Sequence, residues 1–254
     1  MNTKMTRRWF VGSVGAATVA PASALVATHA AGMGSTAPSA APGAPSAAER
    51  PKVVYQFFSA AEAQFIEAAC ERLIPADESG AGALAAGVPR YLDRQLGGAW
   101  GAGERLYRSG PWMAGSPSQG YQLPFTPAEV FHNALRAITQ DLSARGTRFD
   151  AMAADAQDAY LKSLEGGVTD LNGVTSGVFF SMLLGMTVEG FFSDPVYGGN
   201  RDMVAWRMIG FPGAYADYYE AIDRHGEKYD REPMSLGEDR HRHIHPDPNI
   251  PAKL

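Results

Sequence analysis

The sequence is poor in cysteine and lacks the short motifs that hold the common redox cofactors. Among 254 residues Cys70 is the only cysteine, so the chain cannot form an internal disulfide or a Cys-x-x-Cys site. A Gly-rich dinucleotide fingerprint, a P-loop and a Gly-x-Ser-x-Gly nucleophile motif are absent as well. We therefore expect neither a catalytic nor a cofactor-binding residue in this chain.

Acidic residues are absent from the first 48 residues, which instead have the composition of an export signal. Arg7 and Arg8 are followed by a mildly apolar run up to residue 20 and then by small residues. This order indicates a twin-arginine signal peptide over residues 1–30, with a general secretory signal as the alternative. Arg7 and Arg8 are then the targeting residues, and the mature protein is expected in the periplasm.

Large apolar side chains are nearly missing from residues 31–50, where Ala, Gly, Ser, Thr and Pro dominate. Such a composition cannot repay the entropy of ordering, so it predicts a flexible tether. Cleavage of the signal removes three positive charges, on Lys4, Arg7 and Arg8, and shifts the formal net charge from −5 to −8. An acidic mature protein argues against binding of nucleic acid or of anionic lipid.

From residue 51 onwards the sequence has the periodicity of a helical domain. Capping boxes at Ser59 and Thr126 each precede apolar residues at helical spacing. The apolar stretch 178–192 is too short to cross a bilayer and predicts a central core helix. The alternation typical of a sheet is not present. These patterns predict a mainly α protein with a single compact helical domain over residues 51–227.

Three further expectations concern the segments between and after these helices. Asp150 is expected to cap a short helix that follows it, and residues 214–225 are expected to form an amphipathic segment. Residues 97–122 are rich in Gly, Ser, Pro and aromatic residues, which predicts a long loop that is functional or ordered by a partner. The helical domain is therefore expected to carry long loops.

The last segment, 228–254, is charged and rich in Pro and His, and we expect it to have no core of its own. His241, His243 and His245 would lie on one side of an extended strand, which makes them weak candidates for a metal site. The alternative is a tail that is solvated or lies along another protein.

Two isolated side chains have a simple and a sharper interpretation each. Cys70 lies on an apolar helix and is expected to be a small buried hydrophobe, with a bridge to a partner chain as the alternative. His132 is expected to be a satisfied core or interface histidine rather than a ligand. Neither is expected to perform chemistry.

The most unusual segment follows the predicted core helix and combines Gly, Pro, aromatic and charged residues. Two adjacent glycines permit backbone geometry that is closed to other residues, and an Asn-Arg-Asp triplet places one guanidinium beside polar acceptors. We interpret the segment as a rigid loop that forms either a partner interface or a structural staple. Its candidate residues are Phe191, Phe192, Asp194, Pro195, Tyr197, Gly198, Gly199, Asn200, Arg201, Asp202 and Trp206.

Arg201 is the residue whose contacts separate these two interpretations. An ion pair with Asp194 or Asp202 would make it a staple within the loop, whereas an outward-facing guanidinium would suit an interface. We expect internal pairing to be the primary role of the loop.

The loop sequence Phe-Phe-Ser-Asp-Pro-Val-Tyr-Gly-Gly-Asn-Arg-Asp, followed by Trp-Arg-Met-Ile-Gly-Phe-Pro-Gly, resembles the signature of the gluconate 2-dehydrogenase subunit 3 family. The resemblance extends back over Glu-Arg-Leu-Ile-Pro-Ala-Asp at residues 71–77 and covers roughly residues 51–225. The histidine-rich tail lies outside it.

This resemblance implies a small, non-catalytic subunit of an oxidoreductase complex at the periplasmic face of the inner membrane. The large partner would be a FAD-containing dehydrogenase of the glucose-methanol-choline type that oxidises a sugar, a sugar acid or an alcohol. A cytochrome c subunit with haem c would complete the complex and accept the electrons. Membrane association would arise only through that complex, and the twin-arginine signal of the small subunit would export the flavoprotein with it.

The leading hypothesis is therefore a subunit that binds, matures and co-exports a flavoprotein dehydrogenase. The alternative from another class is a stand-alone periplasmic metal-binding protein that uses the terminal histidines. A third hypothesis, that the chain is itself a dehydrogenase, is disfavoured because its sequence has no cofactor-binding motif.

Overall fold

A computed structural model provides the structure of this protein, and it describes residues 54–113, 115–116 and 119–238. The expectation of a mainly α protein is confirmed. None of the helices in these ranges is both long enough and apolar enough to cross a membrane. The α-helices are α1 (Ala60–Leu73), α2 (Val88–Leu96), α3 (Pro127–Ala144), α4 (Ala154–Glu165), α5 (Ser176–Phe192) and α6 (Val204–Ile209).

Helices α1 and α3 begin at the two capping boxes that the sequence predicts. Glu62 accepts from the amide of Ser59 at 2.8 Å, and Glu129 accepts from the amide of Thr126 at 2.7 Å. The serine and threonine hydroxyls accept in return from the amides of those glutamates. Each box satisfies amides that the first helical turn leaves without an intrahelical partner.

Helix α5 lies at the centre of the domain, as its apolar sequence predicts. It packs against α1, α2, α3 and α4, and α6 also contacts it. Its inward side chains include Phe179, Phe180 and Leu183, all of which are buried. Phe179 makes ring contacts with Phe131 of α3 and Phe65 of α1. The core therefore lies between α5 and the faces of α1 and α3 that the periodicity identified.

Helix α2 was not predicted, although its residues carry a short helical pattern. Val88, Leu92 and Leu96 are spaced by four and are all buried. The residue before the helix, Gly87, has a left-handed backbone with φ 75° and provides no side-chain cap. The usual signal for a helix start is therefore missing from the sequence.

The expected role of Asp150 as a helix cap is wrong. Asp150 belongs to a 3-10 turn, Phe149–Ala151, and its carboxylate pairs with Arg148. Helix α4 begins after Ala153, which has no side-chain acceptor to offer. The carboxylate of Asp150 pairs with Arg148, two residues earlier, and so does not accept from a helix amide as a cap would.

Two short elements complete the fold. Strands β1 (Asp170–Leu171) and β2 (Val174–Thr175) form an antiparallel hairpin just before α5. The amphipathic segment expected over 214–225 contains one 3-10 helix, Ala216–Ala221, rather than an α-helix. The long loop expected over 97–122 contains neither an α-helix nor a strand wherever it is described.

The first part of the predicted tail packs on the domain over residues 233–238, so this part adds to the domain rather than forming a core of its own. Met234 forms a parallel bridge with Gly213, and its amide donates to the carbonyl of Pro212 at 3.1 Å. Pro233 and Ser235 are buried. Residues 239–254, with His241, His243 and His245, lie outside the described residues, as do residues 1–53 with Arg7 and Arg8.

Candidate functional site

The segment that the sequence singles out forms a compact turn at the C-terminal end of α5. Helix α5 ends at Phe192, and Asp194 then caps a 3-10 helix, Pro195–Tyr197, by accepting from the amide of Val196 at 3.0 Å. We call residues 193–203 the signature loop. Its path is set by two buried polar side chains, those of Asp194 and Asn200, rather than by helix propensity.

Asn200 is the residue that organises the signature loop. It is fully buried, its amide nitrogen donates to the carbonyl of Ser193 at 2.9 Å, and its side-chain oxygen accepts from the amide of Ala205 at 2.9 Å. Its backbone amide donates to the carbonyl of Gly190 at 3.0 Å. Asn200 thus ties the end of α5 to the start of α6.

The backbone around Asn200 is left-handed at three residues that are not glycine. Asn200, Asp202 and Met203 have φ values of 42°, 56° and 53°. A left-handed conformation is uncommon for such residues and costs about 1 kcal/mol or more where the side chain is bulky. The internal hydrogen bonds of Asn200 and the burial of Met203 oppose this cost, so the loop has a fixed rather than an adaptable shape.

Gly198 and Gly199 are required by close contacts. Gly198 has φ 102°, and a Cβ there would lie 3.0 Å from Cδ of Arg94. A Cβ on Gly199 would lie 2.1 Å from the carbonyl oxygen of Gly190. The two glycines therefore let the loop lie against both α2 and the end of α5.

Trp206 lies beneath the loop, as expected for an internal support. It is buried, and its indole Nε1 donates to the carbonyl of Phe192 at 2.8 Å. Its ring meets that of Phe211 edge-on with centroids 5.1 Å apart. This hydrogen bond satisfies a carbonyl at the C-terminal end of α5 that has no helical partner.

Asp194 also joins the signature loop to the C-terminal segment. Its carboxylate accepts from the hydroxyl of Ser235 and, at 2.8 Å, from the amide of Leu236. Together with Val196 these donors give the buried carboxylate three hydrogen bonds. The sequence did not point to Ser235, because a contact over 41 residues leaves no local pattern.

The expected ion pair of Arg201 with Asp194 or Asp202 is not found in the described part of the chain. Asp194 is occupied by Val196, Ser235 and Leu236, and the carbonyl of Asp202 accepts from Arg207. The side chain of Arg201 is exposed, while its backbone amide donates to the carbonyl of Ala86 at 2.9 Å. The loop is stapled by Asp194 and Asn200, and the guanidinium is left on the surface.

Helix α2 brings two further arginines to the same place. A Cβ on Gly198 would lie 3.2 Å from Nη1 of Arg94 and 3.8 Å from Cγ of Arg90. A Cβ on Gly87 would lie 3.6 Å from Nη2 of Arg201 and 3.2 Å from the carbonyl oxygen of Gly198. We call Arg90, Arg94 and Arg201 the arginine cluster. Sequence reasoning missed the two arginines of α2 together with the helix itself.

Tyr91 of α2 packs on the end of α5 beside this cluster. A Cβ on Gly190 would lie 2.7 Å from its ring, so only glycine fits below it. Burial, with Glu189 at 3.5 Å from the hydroxyl, raises the pKa of Tyr91 to about 12. The phenol is therefore neutral at physiological pH.

Exposed apolar side chains lie on the signature loop and on segments that are linked to it. Phe192 and Tyr197 of the candidate residues are partly exposed, whereas Phe191, Asp194, Asn200 and Trp206 are buried. The segments that contribute exposed apolar side chains are linked by Trp206, by the Gly213–Met234 bridge and by the bond of Leu236 to Asp194. We define the loop surface as Val188, Phe192, Tyr197, Met208, Ile209, Phe211 and Leu236.

The surroundings of Cys70 and His132 indicate that both side chains have structural roles. Cys70 is fully buried, with its sulfur 3.5 Å from the hydroxyl of Thr187, and burial raises the pKa of its thiol to about 12. This confirms the buried hydrophobe and leaves no access for a bridge. His132 stacks on Phe57 and lies 3.3 Å from Glu62. Within the described residues no group of three or more His, Cys, Asp or Glu side chains could hold a metal ion.

The fold and the site together define a small, mainly helical protein whose most constrained feature is a surface loop with apolar side chains around it. The gluconate 2-dehydrogenase subunit 3 family model matches residues 60–213, which include α1 to α6 and the whole signature loop. The chain belongs to this family. No curated protein and no solved structure matched the chain.

Proposed function

We propose that this chain is the non-catalytic small subunit that binds, matures and co-exports a FAD-dependent dehydrogenase. Its family consists of subunits of gluconate 2-dehydrogenase-type complexes. The finer proposal, a flavoprotein of the glucose-methanol-choline type together with a cytochrome c subunit, is supported by the resemblance of the signature loop. The partner would oxidise a sugar, a sugar acid or an alcohol.

The observation that carries the proposal is the loop surface. It presents seven large apolar side chains around a loop whose backbone is fixed, and most of them lie within the span that the family model matches. Large apolar side chains that are exposed on linked segments mark an interaction site more often than an isolated exposed residue does. Aromatic anchors on a rigid backbone also lose little entropy on binding.

In this proposal the chemistry takes place on the partner. FAD bound to the flavoprotein would accept a hydride, and haem c of the cytochrome subunit would receive the electrons. The residues of this chain would bind and orient the flavoprotein through Phe192, Tyr197 and their neighbours. The chain itself would hold no cofactor and perform no catalytic step.

Export would be a second task of the same chain. The twin-arginine pathway transports folded proteins, and we propose that Arg7 and Arg8 provide the address for both subunits. The complex would then operate at the periplasmic face of the inner membrane. A flavoprotein that folds around FAD in the cytoplasm needs such a route, because an unfolded-chain translocon would strip the cofactor.

The direct test is purification of the tagged full chain from the cell fractions of its host, followed by mass spectrometry and flavin absorbance. We expect a stoichiometric flavoprotein in the periplasmic fraction and flavin absorbance that follows that second polypeptide. The separated mature chain should be colourless and inactive with sugars and a dye acceptor. Flavin and activity in a preparation of this chain alone would contradict the proposal.

Export is tested separately with Arg7→Lys and Arg8→Lys combined, which keeps the charge but removes the twin-arginine pair. We expect both subunits to remain in the cytoplasm, whereas a Lys4→Arg control should be exported normally. Full dehydrogenase activity in the periplasm of the double variant would refute co-export. The binding function would then still rest on the co-purification.

A further inference from the structure

We propose that the arginine cluster of Arg90, Arg94 and Arg201 binds carboxylates that the flavoprotein partner presents as an acidic segment. This inference rests on the proposed function and assigns the chemistry of one part of the interface. It adds two residues of α2, which lie at least 99 positions before the signature loop, to the binding surface. The occupant is a protein segment that carries Asp or Glu side chains.

The three guanidinium-bearing side chains converge on one backbone contact. The carbonyl of Gly198 lies against Gly87, with Arg201 near Gly87 and both Arg90 and Arg94 near Gly198. A Cβ at Gly198 would lie 3.0 Å from Cδ of Arg94, and Gly198 and Gly87 have φ values of 102° and 75°, which favour glycine. The glycines therefore let the backbone lie close to these arginine side chains.

Two of these arginines have no acidic partner within the described ranges. Arg90 and Arg201 are exposed, and neither forms an ion pair with a described residue. Among the acids nearest along the chain, Asp93 accepts from the backbone amides of residues 56–58, and Asp194 accepts from Val196, Ser235 and Leu236. Glu189 accepts from the hydroxyl of Tyr91, and Asp202 does not pair with the adjacent Arg201. Exposed guanidinium groups without an acidic partner, such as those of Arg90 and Arg201, favour the approach of carboxylates.

The backbone of Arg201 is held in place by contacts within the chain. Its neighbours Asn200, Asp202 and Met203 all have left-handed backbones, and its own amide is bonded to the carbonyl of Ala86. Such a backbone is costly, and strain of this kind is retained where it places a side chain for a purpose. Here the strained run holds the Arg201 side chain next to α2.

The surroundings favour a protein carboxylate over a free anion. Tyr197 of the loop surface directly precedes Gly198 and is partly exposed, so a partner that covers it would also exclude water from the neighbouring guanidinium groups. A bidentate contact between arginine and carboxylate is stronger and more specific in such a desolvated setting. The chain as a whole is acidic, with a formal net charge of −5, so a basic patch on it selects a complementary face.

The test uses the full chain and the flavoprotein that co-purifies with it. In the variant Arg90→Glu/Arg201→Glu we expect affinity for that flavoprotein to fall by roughly 10-fold to 100-fold, because charge reversal opposes the carboxylates. The melting temperature of the free subunit should be unchanged, since both side chains are exposed and make no internal ion pair. The matched control is Arg136→Glu, which reverses an exposed arginine on α3.

Salt and a conservative variant sharpen the test. Wild-type affinity should fall as NaCl rises, and the charge-reversed variant should lose most of this dependence. Arg90→Lys/Arg201→Lys keeps the charge but loses the fork, so it should bind with intermediate affinity. Equal affinity of wild type and charge-reversed variant would overturn the inference while leaving the proposed function intact. Absence of any flavoprotein from the wild-type preparation would instead overturn the proposed function.

One competing occupant is tested directly. The free full chain is mixed with vesicles of anionic phosphatidylglycerol and, separately, with inorganic phosphate. We expect that neither probe shows binding that is lost in Arg90→Glu/Arg201→Glu. Binding of either probe that disappears in Arg90→Glu/Arg201→Glu, with flavoprotein affinity unaffected, would assign the cluster to a headgroup or phosphate and contradict the protein carboxylate.

Discussion

Two buried aspartates hold the two ends of the described chain, but they stand in different surroundings. Asp93 of α2 accepts from the amides of Gln56, Phe57 and Phe58 at 2.9 to 3.0 Å and so fastens the start of the domain. Asp194 accepts from Val196, Ser235 and Leu236 and fastens its end. Each carboxylate therefore has three hydrogen bonds, and each joins segments that are distant along the chain.

The difference lies in what surrounds each aspartate. Near Asp93 the aromatic rings turn inward, since Phe58 is buried and Phe57 packs on Phe58 and His132. Near Asp194 the apolar side chains turn outward and form the loop surface. A buried aspartate that accepts three hydrogen bonds thus supports the core near Asp93 and an exposed apolar surface near Asp194. We expect substitutions around Asp93 to lower stability most. Around Asp194, loss of the buried contacts should lower stability less, and substitutions on the loop surface should weaken partner binding instead.

Asp93→Ala should have the largest effect on stability. The substitution removes three hydrogen bonds to a buried carboxylate and leaves the amide of Phe58 buried without its partner, which costs about 3 kcal/mol. In a domain of this size the melting temperature should fall by roughly 6–12 °C. The control Asp141→Ala breaks only an exposed pair with Arg145 and should cost less than about 1 kcal/mol. Equal effects of the two changes would mean that Asp93 is no anchor.

Truncation of the C-terminal segment should have the next largest effect. A chain that ends at Arg231 lacks Ser235 and Leu236, and the carboxylate of Asp194 then exchanges two protein donors for water. We expect a loss of about 1–2 kcal/mol, seen as a melting temperature lowered by roughly 2–8 °C. A chain that ends at Glu238 keeps these contacts and should melt like the full chain. If both truncations melted alike, the docking of residues 232–238 would not stabilise the domain.

Ser235→Ala should have a smaller effect of the same kind. It removes the hydroxyl that donates to Asp194 and accepts from the amide of Gly237, and it costs about 1 kcal/mol, or roughly 2–4 °C in melting temperature. Ser143→Ala, at an exposed position on α3, is the matched control and should leave the temperature unchanged. A null result at Ser235 would show that the amide of Leu236 alone maintains the contact.

Ile209→Ser together with Leu236→Ser should have the smallest effect on stability and the clearest effect on binding. Both side chains are largely exposed, at 57% and 69%, so the free energy of unfolding should change by less than about 1 kcal/mol. Affinity for the co-purifying flavoprotein should nevertheless fall by about 10-fold or more. Val168→Ser, at 89% exposure near the other end of α5, is the control. Undiminished affinity of the double variant would place the interface elsewhere.

The sequence predicted those parts of the fold that local patterns encode. Examples are the capping boxes at Ser59 and Thr126 and the apolar run of α5. Each of these patterns predicts its helix from residues that are close together in sequence. Helix α2 was missed because it has nine residues and starts at a left-handed Gly87 without a capping side chain. A helix that depends on tertiary packing gives a weak local signal.

The candidate site was predicted in part for the same reason. The unusual composition of the signature loop identified its residues, but the direction of each side chain depends on partners far along the chain. The sequence allowed Asp194 to pair with Arg201. In the structure the carboxylate of Asp194 accepts from the segment around Ser235 instead. Residues that meet across such distances, such as Arg90 and Arg201, cannot be brought together by periodicity.

The contact between Asp194 and Ser235 also closes a loop of 41 residues without a covalent bond. Opening it releases the amide of Leu236 and exposes the Gly213–Met234 bridge, because these contacts share the same C-terminal segment. The amide protons of Ala214, Met234 and Leu236 should therefore exchange with solvent deuterium in one concerted event. Residues 212–214 and 234–236 would form a single cooperative unfolding unit beside the helical core.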